Sequence, residues 1–365
     1  MELTIDKTTL QDVLRKAISA TEKKSALPIL SNFLLEAKDG KLIVEGTDLE
    51  VHVKISVFAK VEEEGKACVN AKKLTDIARL LPSETVHIKT DDSSLKIKSG
   101  KTKYSLPTVA PEDYPQMYPF PEDTAFLISG ADLQNAINKT LYAASKEESR
   151  YALQGDLFKS RNNHIDVVAT DGHRLALYII EREGQLDTNV EVVIPQKSLN
   201  ELRKLLTGAE DVEMAATEQY AFFKTKEWIL MTRLLEGAFP DYTQVIPDEF
   251  SIEIILDKKE TLEAVKRVSA VVEGDTKPIK FTLKPNVLEL RSFSQEYGEA
   301  VDEIEVQYEG EEFTIGFNAK YIIEAIEVVD DDKFYMKFTN PNSQTMVEPI
   351  ENNRYKAIIM PMDIS

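Results

Sequence analysis

The sequence predicts an α+β fold made of three tandem copies of one unit, each with two helices packed on a mostly antiparallel sheet. Three observations lead to this prediction: the chain length, a repeated helix signature, and strand-like runs between the helices. At 365 residues the chain exceeds what one hydrophobic core normally serves, about 100 to 150 residues. We therefore expect two or three domains, and the repeat favours three.

The repeated signature is an amphipathic helix that begins after a polar or proline residue. Residues 69–81 match residues 194–206 at a spacing of 125, and residues 317–329 follow 123 positions later. In each copy, apolar residues recur every three to four positions, as on the buried face of a helix. A second segment of helical period precedes each copy, at residues 10–17, 133–141 and, more loosely, 262–268.

Strand-like runs lie between the two helix signals of each copy. In the first copy, residues 33–35 and 42–44 flank an Asp39-Gly40 turn, and apolar runs bounded by turn residues are typical of strands. The corresponding runs in the later copies are residues 157–158, 165–168, 281–283 and 287–290. The order helix, strands, helix thus predicts one α+β unit per copy.

Two similar proline-bearing segments separate the copies. Residues 113–119 and 241–247 both begin with Asp-Tyr and contain proline. Proline neither donates to a β-ladder nor continues a helix, so we interpret both segments as linkers. The predicted domains are therefore residues 1–124, 125–249 and 250–365.

The charge of the chain is unevenly distributed along the sequence. The formal net charge is −19, which taken alone argues against a nucleic-acid partner, because phosphate binding relies on clustered Lys and Arg. The six helix segments, however, together carry +8, so the rest of the chain carries −27. These segments are residues 7–24, 70–81, 132–146, 195–206, 257–268 and 318–329. The distribution favours helices that face a polyanion, but Lys and Arg are also good helix formers on solvated faces, and both interpretations stay open here.

The sequence also indicates the cellular compartment of the protein. No run of about 18 apolar residues could span a bilayer, and residues 1–10 lack the basic and apolar regions of a signal peptide. We expect a cytoplasmic protein. The single cysteine, Cys68, has no partner for an internal disulfide or a thiolate metal site and is predicted to be an inert core thiol.

The sequence lacks the usual motifs of catalysis and cofactor binding. It contains no phosphate-binding glycine loop, no GxSxG elbow, no HExxH and no Cys/His cluster, so no cofactor or metal is expected. Asp171 and His173 could form an acid/base pair, but no nucleophile or third ligand accompanies them. The hypothesis that the chain is an enzyme with Asp171 and His173 as catalytic residues is the weakest of three.

The region around Asp171 contains a feature shared by two copies and one that is not. Thr47-Asp48 lies 123 residues before Thr170-Asp171, and we expect this shared pair to fix a turn through side-chain to backbone hydrogen bonds. Gly172-His173-Arg174 occurs only in the second copy. A feature found in one copy of a repeated scaffold indicates a binding site.

The end of the chain is unusually apolar. Residues 358–364 contain Met360-Pro361-Met362, and Met with aliphatic side chains forms adaptable grooves for peptide anchors. A last core strand would explain Ile358 and Met360 but not Met362 or Ile364 after the proline.

These strings resemble the bacterial DNA polymerase III beta subunit family, the DNA sliding clamps. The resemblance covers the whole chain and is carried by residues 27–30, 46–50, 169–176, 239–242 and 360–362. It implies a non-catalytic, head-to-tail homodimer that closes a ring of six similar units around duplex DNA without sequence specificity. It also implies that the ring gives processivity by tethering its partners, which are the DNA polymerase III alpha subunit, the clamp loader and other proteins with clamp-binding motifs. A repeat scaffold that binds proteins only is the alternative.

The resemblance also implies three sets of site residues. The DNA-side positions are Lys24, Lys73, Arg79, Arg150, Tyr151 and Lys197. The partner-peptide groove comprises Leu153, Thr170, Gly172, His173, Arg174, Leu175, Pro240, Val245, Ile358, Met360, Pro361 and Met362. The dimer contacts are Tyr104 and Leu106 against Val271 and Val272. Two positions depart from the family pattern: Ala152 replaces a frequent second aromatic residue, and Asp363 occupies an often basic position.

Overall fold

The structure is a computed structural model that describes residues 1–22, 27–91, 93–182, 189–208 and 210–363. Six α-helices occur in these ranges: α1 (Lys7–Ala17), α2 (Ala71–Leu80), α3 (Gly130–Thr140), α4 (Gln196–Leu205), α5 (Lys258–Val268) and α6 (Ala319–Glu327). No helix in the described ranges is long and apolar enough to cross a membrane.

The strands account for most of the remaining regular structure. They are β1 (Glu2–Asp6), β2 (Asn32–Lys38), β3 (Lys41–Thr47), β4 (Val51–Phe58), β5 (Lys60–Glu63), β6 (Gly65–Asn70), β7 (Thr85–Thr90), β8 (Ser94–Ser99), β9 (Thr102–Val109), β10 (Phe126–Ser129), β11 (Gly155–Ser160), β12 (His164–Thr170), β13 (Arg174–Glu181), β14 (Glu191–Pro195), β15 (Asp211–Ala216), β16 (Tyr220–Lys224), β17 (Trp228–Arg233), β18 (Ile252–Asp257), β19 (Pro278–Lys284), β20 (Val287–Ser294), β21 (Gly298–Glu305), β22 (Phe313–Asn318), β23 (Lys333–Phe338), β24 (Thr345–Pro349) and β25 (Tyr355–Ile359).

Helix starts follow from polar caps at the ends of strands. The side chains of Asp6, Asn70 and Asp257 accept amide hydrogen bonds of 2.9 to 3.0 Å from the first turns of α1, α2 and α5. Such caps satisfy amides that have no partner within the helix. The apolar stripes predicted for the helices are buried, and in α5 the stripe consists of Thr261, Ala264, Val265 and Val268. Leu262, which the sequence pattern placed on that stripe, is only partly buried.

One compact unit consists of residues 1–132 and 197–234. Its sheet has thirteen strands in the order β10-β15-β16-β17-β4-β3-β2-β6-β9-β8-β7-β1-β5. Antiparallel pairing of β17 with β4, with Met231 opposite His52, makes this sheet continuous. Residues from two of the predicted domains therefore share one sheet.

A second compact unit consists of residues 133–196 and 235–365. It contains an eight-stranded sheet, β14-β11-β12-β13-β25-β24-β23-β18, and a four-stranded sheet, β21-β20-β19-β22. Pairing of β13 with β25 places Leu175 opposite Ile358. The predicted helices and strands are confirmed, whereas the boundaries of the two compact units differ from those of the three predicted domains.

The two predicted linkers contain no α-helix or β-strand, but each is anchored by a buried tyrosine. The Tyr114 hydroxyl donates to the Glu45 carbonyl at 3.2 Å, and the Tyr242 hydroxyl donates to Asp166 Oδ2 at 2.5 Å. Both side chains are almost completely buried. The repeated Asp-Tyr thus fixes each linker to the sheet beside it.

Candidate functional site

The shared Thr-Asp pairs form the same turn twice, as predicted. Thr170 Oγ1 donates to the Arg174 carbonyl at 2.6 Å and accepts from the Gly172 amide at 3.1 Å. Asp171 Oδ1 accepts from the amides of His173 and Arg174 at 2.9 and 3.1 Å. Thr47 and Asp48 make the corresponding four bonds at 2.8 to 3.0 Å. Because Asp171 is used by the turn, an acid/base role with His173 gains no support.

The two turns differ at the position that follows Asp. Both positions have positive φ, +87° at Gly172 and +76° at Leu49, a conformation that glycine adopts without strain. A Cβ on Gly172 would lie 2.5 Å from Arg150 Nη1, so Arg150 lies directly against this glycine. Arg150 also donates to the Asp171 carbonyl and pairs with Glu147 at 3.1 Å.

Arg174 supports the same turn from a buried position. Its side chain is 6% exposed, and Nε donates to Asp171 Oδ2 at 3.0 Å while Nη2 donates to the Tyr142 carbonyl at 2.7 Å. Nη1 pairs with Glu324 of α6. Burial disfavours the charged guanidinium, but Glu324 and Asp171 outweigh this cost, and the net effect raises the pKa of Arg174. Arg174, expected in the groove, therefore holds the turn as a buried cation.

The end of the chain runs beside this turn. The Met360 amide donates to the His173 carbonyl at 2.9 Å, and the Met362 amide donates to the Gly316 carbonyl at 2.9 Å. Ile358 is buried, whereas Met360 is 40% exposed. The core-strand alternative was therefore right for Ile358 but wrong for Met360, and Ile364 lies outside the described residues.

An apolar cluster forms the floor between these elements. Its buried members are Leu157, Val168, Leu175, Leu177, Val193, Tyr242, Met346 and Ile358. Phe239 and Ile246 pack against it, and they adjoin the exposed residues Pro240 and Val245. The Val245 carbonyl accepts from Gln344 Nε2 at 3.2 Å. Turn, tail and floor thus bring most of the predicted groove residues together in one unit.

The remaining groove residues lie at the edge of this arrangement. Leu153 is half-buried at the end of the 3₁₀ segment Glu148–Leu153, and its carbonyl accepts from the Ser145 amide at 2.8 Å. His173 is exposed, and Pro361 is partly buried. Leu153 belongs to the same 3₁₀ segment as Arg150, which contacts the turn.

Sequence reasoning missed the aromatic and acidic residues around Arg174. The rings of Tyr321 and Tyr142 lie 4.4 and 5.2 Å from the Arg174 guanidinium carbon, within the range of cation–π attraction. Glu324 lies 150 residues away in the sequence. No local pattern connects these residues to the turn, because Tyr142 lies on the segment after α3 and Tyr321 and Glu324 lie on α6.

The predicted DNA-side residues occupy different environments. Lys73 and Arg79 are exposed on α2, and Arg79 lies 4.0 Å from Asp76. Tyr151 is 53% exposed. Arg150, also expected on the DNA side, contacts the groove turn, and Lys24 lies outside the described residues. On their observed bounds the six helices together carry +7.

Lys197 is held by two carboxylates within the first unit. Its ammonium lies 2.5 Å from Asp48 and 3.1 Å from Glu50. Partial burial lowers the pKa of Lys197, but hydrogen bonds and charge from the two carboxylates outweigh this effect and raise it. A phosphate would therefore compete with these carboxylates for Lys197.

The predicted dimer contacts lie beside strands that have an open edge. Tyr104 and Leu106 are half-buried in β9, and residues 102–107 pair only with β8 among the described strands. Val271 and Val272 are half-buried after α5. In the same unit, β21 is an edge strand that pairs only with β20 in the described part of the chain.

Two further observations concern metal-binding groups and the single cysteine. No group of three or more His, Cys, Asp or Glu side chains in the described residues could hold a metal ion. Cys68 is completely buried, and burial raises the pKa of its thiol to about 12, which agrees with the predicted inert thiol.

The chain matches one family of known proteins along its whole length. Three models of the DNA polymerase III beta subunit match in order: the N-terminal domain at residues 1–118, the central domain at 127–241 and the C-terminal domain at 243–363. The beta sliding clamp of Caulobacter vibrioides is 32% identical with full coverage of both chains. That of Bacillus subtilis is also 32% identical, over 96% of this chain and 98% of its own.

Solved structures show the same fold. The sliding clamp of Pseudomonas aeruginosa bound to griselimycin superposes with a TM-score of 0.96 at 29% identity, covering both chains completely. The clamp of Bacillus subtilis gives 0.95 at 30% identity, again with complete coverage. The fold and these matches define a DNA sliding clamp of replication, a non-catalytic class of protein. Within that class, the chain belongs to the DNA polymerase III beta subunit family.

Proposed function

We propose that two copies of this chain close head to tail into a ring around duplex DNA and tether the replicative polymerase to it. The observation that carries the proposal is the segregation of charge: helices at +7 within a chain of −19. A polyanion would be attracted to a helix-lined passage and repelled from the remaining surface. Contacts to phosphates alone position a protein on DNA without reading its sequence.

The ring requires three similar domains per chain, with the boundaries 1–124, 125–249 and 250–365. The order of elements supports this division, since a strand followed by a helix occurs twice in each third of the chain. Three successive family models, at residues 1–118, 127–241 and 243–363, support a division into three, although the third range begins seven residues before the proposed boundary. A ring of six domains then needs two identical, heterologous interfaces that close by rotation.

Complementary charge on two open strand edges supports head-to-tail closure. The hairpin of β8 and β9 carries the exposed residues Lys98, Lys101 and Lys103, of which Lys103 lies on the edge strand itself. The edge at β21 carries the exposed residues Glu299, Glu303 and Glu305. An edge strand with unpaired backbone groups is a template for pairing with another chain, and opposite charge selects the partner edge.

Exchange of edge charges tests this interface. In one variant the three lysines become Glu, and in the other the three glutamates become Lys. Each variant alone should be monomeric by sedimentation, because like charges meet at both interfaces. Their equimolar mixture should form dimers, since every interface then regains opposite charges. Lys226→Glu, an exposed site on the same unit as the lysines, is the control that should stay dimeric. A mixture that remains monomeric would contradict this interface.

Loading on DNA of defined topology tests the ring itself. Chain loaded onto a nicked circle should stay bound during gel filtration and should leave once the circle is cut. Equal retention on circular and linear DNA would contradict encirclement. A protein-only scaffold predicts no retention on either form.

The groove made by the turn, the tail and the apolar floor is proposed to take short linear peptides. Its partners would be the DNA polymerase III alpha subunit, the clamp loader and other proteins with clamp-binding motifs, acting in the cytoplasm. Support comes from exposed apolar residues, such as Met360 and Val245, above a floor that is already packed. Griselimycin, which is bound in the Pseudomonas aeruginosa structure, is a ready probe.

Truncation of Met360 tests the groove. Met360→Ala should weaken griselimycin binding by about ten-fold, because loss of a buried anchor costs roughly 1 to 2 kcal/mol. Phe293→Ala removes an apolar side chain that is 61% exposed in the same unit and should leave the affinity unchanged. Isothermal titration measures both. Equal affinities of the two variants would contradict a role of Met360 in the groove.

A further inference from the structure

We propose that Glu324, on α6, is a positioning residue that sets the shape of the groove turn through Arg174. This inference rests on the peptide groove proposed above and deepens it. Glu324 is 28% exposed, and its carboxylate meets the groove at the guanidinium of Arg174.

The backbone of the groove turn is held by the carboxylate of Asp171. The amides of His173 and Arg174 both donate to Asp171 Oδ1, so the path of the exposed backbone depends on where that carboxylate lies. The His173 carbonyl in turn accepts from the Met360 amide at 2.9 Å. Movement of Asp171 would therefore shift both the turn and the tail beside it.

Arg174 fixes the position of the Asp171 carboxylate. Its other oxygen accepts from Arg174 Nε at 3.0 Å. The guanidinium that makes this bond is held from three further directions, by Glu324, by the Tyr142 carbonyl at 2.7 Å and by the flanking rings of Tyr321 and Tyr142. Arg174 is thus a rigid connection between Asp171 and α6.

The negative charge of Glu324 stabilises the buried cation of Arg174. A buried cation is stable only when it is paired and hydrogen-bonded, and Arg174 has two carboxylate partners, Asp171 and Glu324. Without the charge of Glu324, the guanidinium would keep one anion and would gain freedom to rotate toward solvent. Asp171 would then follow or lose its Nε bond, and the turn would sample other shapes.

Neutralisation of Glu324 tests the proposal. Glu324→Gln keeps the size of the side chain and should weaken griselimycin binding about five-fold or more, as expected for a lost charge-assisted hydrogen bond. Glu327→Gln is the matched control: it lies on the same helix, changes net charge equally and breaks an exposed pair with Lys266 at 2.7 Å. Its affinity should equal that of the wild type, and equal affinities of all three proteins would overturn the proposal.

Two further readouts separate positioning from a general loss of stability. Hydrogen exchange of the His173 and Arg174 amides should be faster in Glu324→Gln, while exchange of the β16 amides and retention on circular DNA stay at wild-type values. In an Arg174→Gln background, Glu324→Gln should have no additional effect on affinity, since the carboxylate acts through Arg174. An unchanged exchange rate, or fully additive losses, would overturn the proposal. If Arg174→Gln does not fold, the exchange measurement decides.

Failure of the groove itself would look different. If the wild-type chain does not bind griselimycin at all, the proposed groove is wrong and the positioning role falls with it. If the wild type binds but Glu324→Gln binds equally well, only the positioning role is wrong.

Discussion

At the scale of single residues, two turns of the same backbone structure bind different cations through their Asp side chains. Thr47-Asp48 and Thr170-Asp171 make the same hydrogen bonds, and the first Asp also holds Lys197. The second Asp instead holds the buried Arg174. The turn geometry could be predicted from the repeated dipeptide, because its bonds are local. The partner of the second carboxylate oxygen of each Asp could not be predicted. Lys197, the partner of Asp48, is distant in sequence, and Arg174, the partner of Asp171, is fixed by Glu324 on the distant helix α6.

Gly172→Ala tests the conformation of the second turn. The new Cβ would displace Arg150 from the Asp171 carbonyl, and the positive φ adds strain of about 1 kcal/mol. We expect a lower urea midpoint and at least a few-fold weaker griselimycin binding. Gly274→Ala also changes a positive-φ glycine, but no atom lies within 4 Å of the added Cβ, so only stability should fall. Wild-type affinity in Gly172→Ala would contradict the conclusion that griselimycin binding depends on the conformation of this turn.

Asp156 predicts a pH dependence of stability. The side chain is completely buried, and burial raises its pKa to about 8. Thr140 Oγ1 lies 2.7 Å from the Ala136 carbonyl and 2.5 Å from Asp156 Oδ2. One hydroxyl proton serves only one acceptor, so a protonated Asp156 that donates to Thr140 satisfies both bonds.

The direction of the change in stability with pH follows from proton binding by Asp156. Between about pH 4 and pH 8 the folded chain keeps a proton on Asp156 that the unfolded chain has lost, so the free energy of unfolding falls as pH rises through this window. Each unit of pKa shift corresponds to about 1.4 kcal/mol. Asp156→Asn should lack this decline, whereas Asp275→Asn, at an exposed site, should retain it. Urea titrations from pH 4 to 9 measure the difference, and parallel curves for wild type and Asp156→Asn would contradict a protonated Asp156.

At the scale of elements, periodicity predicted which segments are helices and strands but not which strands pair. The helix stripes and strand runs are local patterns. The pairs β4 with β17 and β13 with β25 join segments about 180 residues apart in sequence. These pairs explain why the compact units cut across the three predicted domains. The pairing of β13 with β25 also brings the turn and the tail of the groove together from distant segments.

Tyr355 tests how strongly β25 is fixed to α6. Its hydroxyl donates to the Ala325 carbonyl at 2.9 Å and lies 2.8 Å from the Tyr142 hydroxyl, in a side chain that is 1% exposed. Tyr355→Phe leaves a buried carbonyl without this donor and should cost about 1 to 3 kcal/mol. Tyr297→Phe, at a residue that is 53% exposed, should cost almost nothing. Unequal urea midpoints are expected, and equal ones would contradict the role of this hydrogen bond.

At the scale of the whole molecule, composition alone was misleading. A net charge of −19 suggests a protein that avoids DNA, and only the charge of the helices indicates the opposite. The observed helix bounds reduce the helix charge from the predicted +8 to +7, because the observed helices are shorter than the segments first counted. The proposed dimer and ring need a second copy, so the proposal rests on the complementary charge of the two edges and not on the fold of one chain alone.

The most direct test of the ring is the salt dependence of retention on DNA. A protein held by phosphate contacts loses about 10³ to 10⁵ in affinity between 50 and 200 mM salt. A closed ring on a nicked circle is held by topology instead, so its lifetime on the circle should change little over this range. On the same DNA cut once, the chain should leave at both salt concentrations. A lifetime on the circle that falls steeply with salt, and matches that on linear DNA, would contradict encirclement.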